Sequence, residues 1–575
     1  MSALDWAVLA GTLALIVAYG LWKGRRQRDL ESYLLAGRSM HWPTIALSIM
    51  ATQASAITFL STPGQAYADG MRFVQFYLGL PIAMVILAAV AVPIYHNLKV
   101  YTAYEYLEGR FDARTRTLTA LLFLIQRGLS TGITIYAPAL IVSVLLGWNI
   151  YLTNVVIGAL VILYTATGGT KAVSWTHVHQ LAIALAGMVV ALVIAIRSLP
   201  SGVSFGDALN VAGKMGRLNA IDFSFDLTTP YNFWTGIIGG LLVALSYFGT
   251  DQSQVQRYLT GETTTESRLA LLFNGLVKVP MQFFILFVGA MVFVFYQFVA
   301  PPLLFNTVER AKIGAGEHAA DYARLEQTHR ETFRAKRQTI GEMLAAMRSG
   351  NRAAESRATA QLHALQVREA GTKKQAVELL RRTDPAADSS DTNYIFLSFV
   401  LRNLPRGVVG LVLAAIFCAA MSATAAGLNS LASTTVVDFY RRFIDTEATT
   451  HNYVQVSKWM TVLWGVFAIG FACFANRLGS LIEAVNKLGS LFYGTILAIF
   501  LLAFFLKEVG GTAAFAGAVI GQLAVVLCAM FTTMAWLWWN VVGCVVGVGA
   551  AIVIQAILSG RRVALVGSDE WKIEN

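Results

Sequence analysis

Polar residues that could hold a solute or an ion sit inside apolar runs of this chain, and they cluster in three of them. In SIMATQASAITFLSTPGQAYADG, residues 48–70, Thr52, Gln53, Ser55 and Thr58 bring polar groups to mid-segment, and Pro63-Gly64 predicts an interruption toward the far end. In YFGTDQSQVQRYLTG, residues 247–261, Gly249, Asp251 and Gln252 precede Arg257 and predict a second break. Unwound backbone frees carbonyl oxygens, which suit a hard cation such as sodium. The third run, GLVLAAIFCAAMSATAAGLNSLASTTVVDFY, residues 410–440, is rich in Gly, Ala, Ser and Thr, a composition that lets helices approach closely. Its Ser422 could also turn a hydroxyl toward a cation held by carbonyls of the first broken segment.

Such residues need elements that cross a bilayer. Of 575 residues, 56% are hydrophobic and 13% charged, about half the charge of a soluble domain, so lipid is the main solvent. The 33 Phe, 20 Tyr and 12 Trp exclude disorder. A net charge of +11 falls mostly in short blocks between apolar runs, where it sets orientation rather than binding nucleic acid. Cys418, Cys473, Cys528 and Cys544 lie within apolar runs as packing residues. No metal-ligand cluster or nucleophile-base motif occurs at recognisable spacing, which argues against an enzyme.

Apolar runs of about 20 residues predict roughly thirteen transmembrane helices in an all-α polytopic protein. They fall near 3–22, 43–69, 74–98, 117–146, 151–168, 172–197, 231–256, 268–300, 406–437, 453–475, 479–506, 509–531 and 534–559. The first run is too long for a signal-peptide core. Lys23, Arg25, Arg26, Arg28 and Arg38, then Lys99, Arg110, Arg114 and Arg116, then Arg441, Arg442, Arg561 and Arg562 fall on one side, which places the N-terminus outside and the C-terminus in the cytoplasm. The chain thus divides into helices 1–8 (1–304), a helical hairpin outside the membrane (305–392), helices 9–13 (393–559) and a short cytoplasmic tail (560–575), too short for a signalling domain. Within the hairpin, Tyr322, Leu325, Phe333, Ile340, Leu344 and Met347, then Leu362, Leu365, Val377 and Leu380, recur at near-helical spacing around a Ser349-Gly350-Asn351 turn. It is either a solvated insertion or a docking site for a protein partner.

Two broken helices five spans apart would be corresponding members of an inverted repeat, helices 2–6 against 7–11. The ordered motifs YLLAGRSM, SIMATQASAITFL, TAYEYLEGRFDARTR, GGTKAVSWTHVHQ, DQSQVQR and MSATAAGLNSLASTTVVDFY resemble the sodium:solute symporter family, with its LeuT-type 5+5 inverted-repeat fold. The hairpin is not part of the usual family pattern. The resemblance implies cation-coupled uptake of a small polar organic solute, such as a sugar, polyol or carboxylate, by alternating access in a cell membrane, here a bacterial cytoplasmic one.

It also implies a sodium site from the backbone carbonyls of Ala51, Ala54 and Ala419 and hydroxyls at positions 422 and 423. Only Ser422 supplies one, since position 423 is Ala423, and His177 stands where the family usually has an aspartate. Sodium affinity is expected to fall accordingly. Proton coupling through His177, with Asp251 a further ion-coupling candidate, or transport without coupling, is the alternative, as is a solute sensor that uses the hairpin. For the solute, the fold points to Gln53, Ser55 and Thr58, to Gln75 and Tyr77, and to Ser246, Tyr247 and Phe248. Lys278 matches a lysine of sugar-transporting relatives and serves either the cavity or a structural pair with Asp251. Ala244, Thr58 and Tyr77 depart from a galactose-type cavity. Arg127 either meets an anionic solute or makes a structural bond, and Glu483 and Lys487, four apart, predict an intrahelical pair.

Overall fold

The computed structural model describes residues 1–24, 30–385, 387–388, 390–447 and 449–559. Arg25, Arg26, Arg28, Arg561, Arg562 and the 560–575 tail lie outside the described residues. The principal helices are α1 (Ala3–Gly24), α2 (Trp42–Gln53), α3 (Ala56–Asp69), α4 (Leu80–Ala89), α5 (Ala113–Leu146), α6 (Ile150–Arg197) and α7 (Phe205–Lys214). They are followed by α8 (Gly240–Gly249), α9 (Gln252–Tyr258), α10 (Thr264–Phe298), α11 (Thr307–Ala315), α12 (Ala319–Arg348) and α13 (Arg352–Thr383). The chain continues through α14 (Thr392–Asn403), α15 (Val408–Thr434), α16 (Thr450–Ala472), α17 (Leu481–Phe505), α18 (Gly511–Phe531) and α19 (Trp536–Ser559).

Among the described residues, nine helices are long and apolar enough to cross a membrane, or ten if the bent pair α2 and α3 counts as one. Three shorter apolar helices, Ala3–Ile16, Ile150–Leu163 and Thr235–Gly249, fall where the sequence predicts further passes. Length and composition alone therefore do not reach thirteen.

The α6 segment is helical from Ile150 to Arg197, where the sequence predicts two passes. Its contacts separate the two. Asn154 donates to the Ala472 carbonyl at 3.3 Å, Gly158 faces Ile469 and Ile162 faces Gly465, so the first half runs antiparallel to α16. Gln180 meets Ser422 and Gly187 faces Val412, so the second half runs antiparallel to α15. Helix α5 meets α15 antiparallel, through Thr131 at Gly427 and Thr134 at Thr424, but runs parallel to α16, with Gly128 at Trp464 and Gly132 at Ala468. Helices α15 and α16 thus oppose each other, and so do the two halves of α6.

Two helices break where the site lies. Helix α2 ends at Gln53, Ala54 leaves helical geometry (φ −85°, ψ 69°), and Ser55 restarts the chain by accepting from the Ile57 amide. The two pieces meet at 57°. Helix α8 ends at Gly249; Asp251 then caps α9, accepting from the Ser253 amide at 2.9 Å and its hydroxyl at 2.7 Å.

The interruption expected at Pro63-Gly64 does not occur, because α3 runs through both residues. Gly64 has a different role: a Cβ there would stand 1.8 Å from the Thr392 carbonyl oxygen, so its absence lets α14 lie against α3. Gly289 admits the Pro63 carbonyl to α10 in the same way.

Helices α12 and α13 pair as a hairpin. Ile340, Met343, Leu344 and Leu362 are buried between them and the bundle. Lys336, buried, meets Glu369 at 2.6 Å. Gly350 turns the chain with φ +69°, and Asn351 caps α13 at the Ala354 amide. The tip is fastened to α7 by Arg348, which reaches Asp207 at 2.6 Å and the Gly202 carbonyl at 2.6 Å, and by Lys214 on Glu355 at 2.7 Å. Burial tends to raise the Asp207 carboxyl, but bonds from Ser204 and Arg348 outweigh it and hold the group below its usual range.

Candidate functional site

Both breaks open onto one central cavity, whose empty volume of about 930 Å³ includes space open to solvent. Thr52, Gln53, Ser55 and Thr58 line it from the first break, Tyr247 and Phe248 from the second. Tyr77, Arg127, Ala423, Asn486 and Tyr493 complete its polar and aromatic surface. Polar groups at membrane depth must find partners in protein or water, and a break faced by a cavity offers both.

One network organises the second break. Arg127 on α5 forms an ion pair with Asp251, and the Tyr493 hydroxyl on α17 donates to the same carboxylate at 3.2 Å. The guanidinium lies 5.6 Å from the Tyr247 ring centroid, and the Tyr247 hydroxyl accepts from Gln254 at 2.7 Å. Gln126 donates to Tyr493 at 3.1 Å, and Ser246 donates to the Tyr493 carbonyl at 2.8 Å. The broken helix is therefore tied to α5 and α17 by charge and hydrogen bonds at its unwound point.

Of the solute residues named from the sequence, Gln53, Ser55, Thr58, Tyr77, Tyr247 and Phe248 share this cavity. Gln75 does not line it: fully buried, it donates to the Tyr231 carbonyl at 2.9 Å and accepts from the Asp222 amide at 2.9 Å, which spends it on a loop. Lys278 does not line it either. Its buried ammonium lies 5.9 Å from the Tyr77 ring centroid without a hydrogen-bond partner, and Asp251, its expected partner, is taken by Arg127. Ser246 is buried behind the lining.

The ion residues lie nearby. Ala51 is in the last turn of α2, where carbonyls lack intrahelical partners, and Ala54 lies outside both helices. Ala419 and Ser422 face inward on α15, and the Ser422 hydroxyl bonds Gln180 and the Cys418 carbonyl. The Ala423 methyl lines the cavity, while the Thr424 hydroxyl, a step round the helix, meets Thr134 at 3.0 Å. His177 is not at the cavity. It is fully buried, its Nδ1 3.0 Å from the Ser48 hydroxyl, beside Ser174, which accepts from Arg257 at 3.4 Å. Among the described residues no group of three His, Cys, Asp or Glu side chains is placed to hold a metal.

The α5 lining was underweighted by sequence reasoning. Arg127, Ser130, Thr131 and Thr134 follow an i, i+3, i+4, i+7 pattern, one polar stripe on an apolar helix, and all four line the cavity. Lys487 and Glu483 pair at 3.4 Å, and Glu483 also accepts from Tyr231 at 3.0 Å.

Comparison with known proteins bears on this geometry. Residues 33–325 and 382–521 match the model of the sodium:solute symporter family, and the unmatched stretch between them holds most of α12 and α13. Over 305 residues the chain is 36% identical to the sodium/iodide cotransporter of Homo sapiens, a match covering 52% of this chain and 47% of that protein, about half its length. It is 28% identical over 521 residues to sodium-coupled monocarboxylate transporter 1 of Mus musculus, covering 90% and 71%. A Na+-coupled sialic acid symporter, solved in a substrate-bound outward-open state, has the same fold, with TM-score 0.75 and 21% identity over 98% of this chain and all of that one. These relatives are transporters rather than enzymes. The chain is a multi-pass membrane protein and belongs to the sodium:solute symporter family.

Proposed function

We propose that the chain is a cation-coupled symporter of a small polar organic solute, with sodium the coupling ion, working by alternating access in a bacterial cytoplasmic membrane with its N-terminus outside. The observation that carries this reading is the single polar cavity lined from both helix breaks. Gln53, Ser55 and Thr58 would hydrogen-bond the solute, and Tyr247 and Phe248 would close one side of it. Sodium would take the Ala51, Ala54 and Ala419 carbonyls and the Ser422 hydroxyl, with the adjacent Gln180 oxygen compensating for the methyl at Ala423. The Ser422 hydroxyl has a single proton to share between the Gln180 oxygen and the Cys418 carbonyl, and its lone pairs would serve the cation. Solute and ion would bias the same equilibrium, so each raises the affinity of the other.

Uptake into proteoliposomes under imposed gradients tests this. Accumulation driven by a sodium gradient alone is the expected result. The second reading, proton coupling, is favoured by the absent hydroxyl at position 423 and by His177. It requires accumulation driven only by a proton gradient and abolished in His177→Ala.

A further inference from the structure

A second pocket opens beneath the hairpin, against α3 and α10, and shares no lining residue with the central cavity. Its wall is aromatic: the Tyr67 ring meets Phe293 and Phe305 nearly edge-on, at centroid separations of 5.3 and 5.8 Å. Two cations lie over this wall. The Arg217 guanidinium is 4.6 Å from the Phe293 centroid, and the Lys373 ammonium is 5.9 Å from that of Phe305.

One cation here is left without an ion-pair contact, although the Asp69 and Glu369 carboxylates lie near enough to act on it through space. Asp391 answers Lys373 at 2.9 Å, and Glu369 is held by Lys336 at 2.6 Å. Arg217 takes part in no ion pair among the described residues, and its Nε is buried without a hydrogen-bond partner. Gln297 is only 2% exposed; its amide nitrogen donates to the Phe293 carbonyl at 3.0 Å, while its oxygen is buried and unpaired. Buried polar atoms are normally satisfied, so the unpaired guanidinium donor at this hollow marks a place where a ligand supplies an acceptor, while the Gln297 oxygen calls for a donor such as water.

We propose that this pocket is a binding site for a small organic carboxylate with a flat apolar body. The carboxylate accepts from the Arg217 guanidinium, whose fork matches it, and the body lies on the Tyr67, Phe293 and Phe305 rings. Lys373 lies in the stretch that the family model does not match, so the site depends on the hairpin. Tyr67 is on α3, nine residues beyond Thr58 of the central cavity, about 14 Å along one helix. A ligand held there loads the same helix that the central cavity uses, yet the site requires nothing of the central solute.

The test is calorimetric titration of the purified full chain with benzoate. Saturable binding is expected, weakened by about tenfold or more in Arg217→Gln. Lys373→Ala should weaken it as well, and carries the test if Arg217→Gln fails to elute as a folded protein. Tyr247→Ala, which alters the central cavity, should leave this binding class in place. The proposal is overturned if benzoate shows no saturable binding at millimolar concentration, or if folded Arg217→Gln and Lys373→Ala both bind like the parent. Loss of all binding in Tyr247→Ala with none in Arg217→Gln would assign benzoate to the central cavity and equally overturn it. Displacement of benzoate by chloride at equal concentration would show a simple anion site without recognition of the apolar body and would likewise overturn the proposal.

Discussion

Arg127 on α5 and Asp251 at the α8–α9 break form an ion pair almost wholly inside the protein, with side chains 12% and 1% exposed. Asp251, the member left behind when Arg127 is removed, does not line the cavity and is shielded from water. Removing one member of a buried pair costs about 3–5 kcal/mol, while neutralising both costs far less. Arg127→Met is therefore expected to lower the unfolding temperature sharply, and Arg127→Met with Asp251→Asn to restore most of it. Uptake stays low in both, since the guanidinium lines the cavity. A double variant as unstable as the single one would show that the unpaired charge is not the source of the loss.

Gly64 separates two physical accounts of one motif. If Gly64 were an ordinary helix-interior glycine with free space beside it, Gly64→Ala would stabilise the chain by about 0.4–1 kcal/mol. With the Thr392 oxygen 1.8 Å from a Cβ, the backbone of α14 has to move instead. Destabilisation of about 1–3 kcal/mol is expected, the range of an overpacked core. Thermal unfolding in detergent reads the sign directly.

The hairpin carries a pH dependence of its own. His329 is buried, its Nε2 3.2 Å from the Pro301 carbonyl oxygen and its Nδ1 3.9 Å from Glu369, with Lys336 and Lys373 near. Burial holds the imidazole below its ordinary value of 6.5, against the pull of Glu369 and Pro301. The unfolded segment then binds the proton more readily than the folded one. Hairpin stability is accordingly complete above about pH 6.5 and declines as pH falls below it. Amide exchange across α12 should be faster at about pH 5.5 than at about 7.5, and His329→Gln should flatten that difference.

How much of this was legible depends on what a residue type can say about direction. That both helices break was readable because Gln53 and Ser55, or Asp251 after Gly249, have no comfortable place on an intact lipid-facing helix, but the first break was expected at Pro63-Gly64 and falls at Ala54 instead. The amphipathic hairpin was readable from its apolar spacing. Gln75 and Lys278 were equally conspicuous, but a polar residue in an apolar run reveals only that it needs a partner. Gln75 found one in a loop strand of sequence some 150 residues away, by way of Tyr231 and Asp222. The reversal inside α6 was readable as two apolar runs, 151–168 and 172–197, whereas the pocket below the hairpin arises from tertiary contacts, which leave no periodic trace. The α5 stripe did leave one, hidden by weighing Arg127 alone rather than with Ser130, Thr131 and Thr134.

Position 423 offers the sharpest test of the coupling ion. Ala423 presents a methyl to the cavity one residue from Ser422, where the family pattern places a hydroxyl. Oxygen count governs how tightly a hard cation is held. Ala423→Ser adds one oxygen without adding charge and replaces a hydrogen on a partly exposed methyl, so the helix should tolerate it. With sodium as the coupling ion, the sodium concentration for half-maximal uptake should fall several-fold. The affinity for solute at limiting sodium should rise as well, because more of the carrier then holds the ion whose binding favours the solute. Uptake measured across a sodium titration, in parent and variant, gives both numbers. A proton-coupled carrier would show neither change, and Ser422→Ala, which removes the remaining hydroxyl, would then leave its uptake independent of sodium as well.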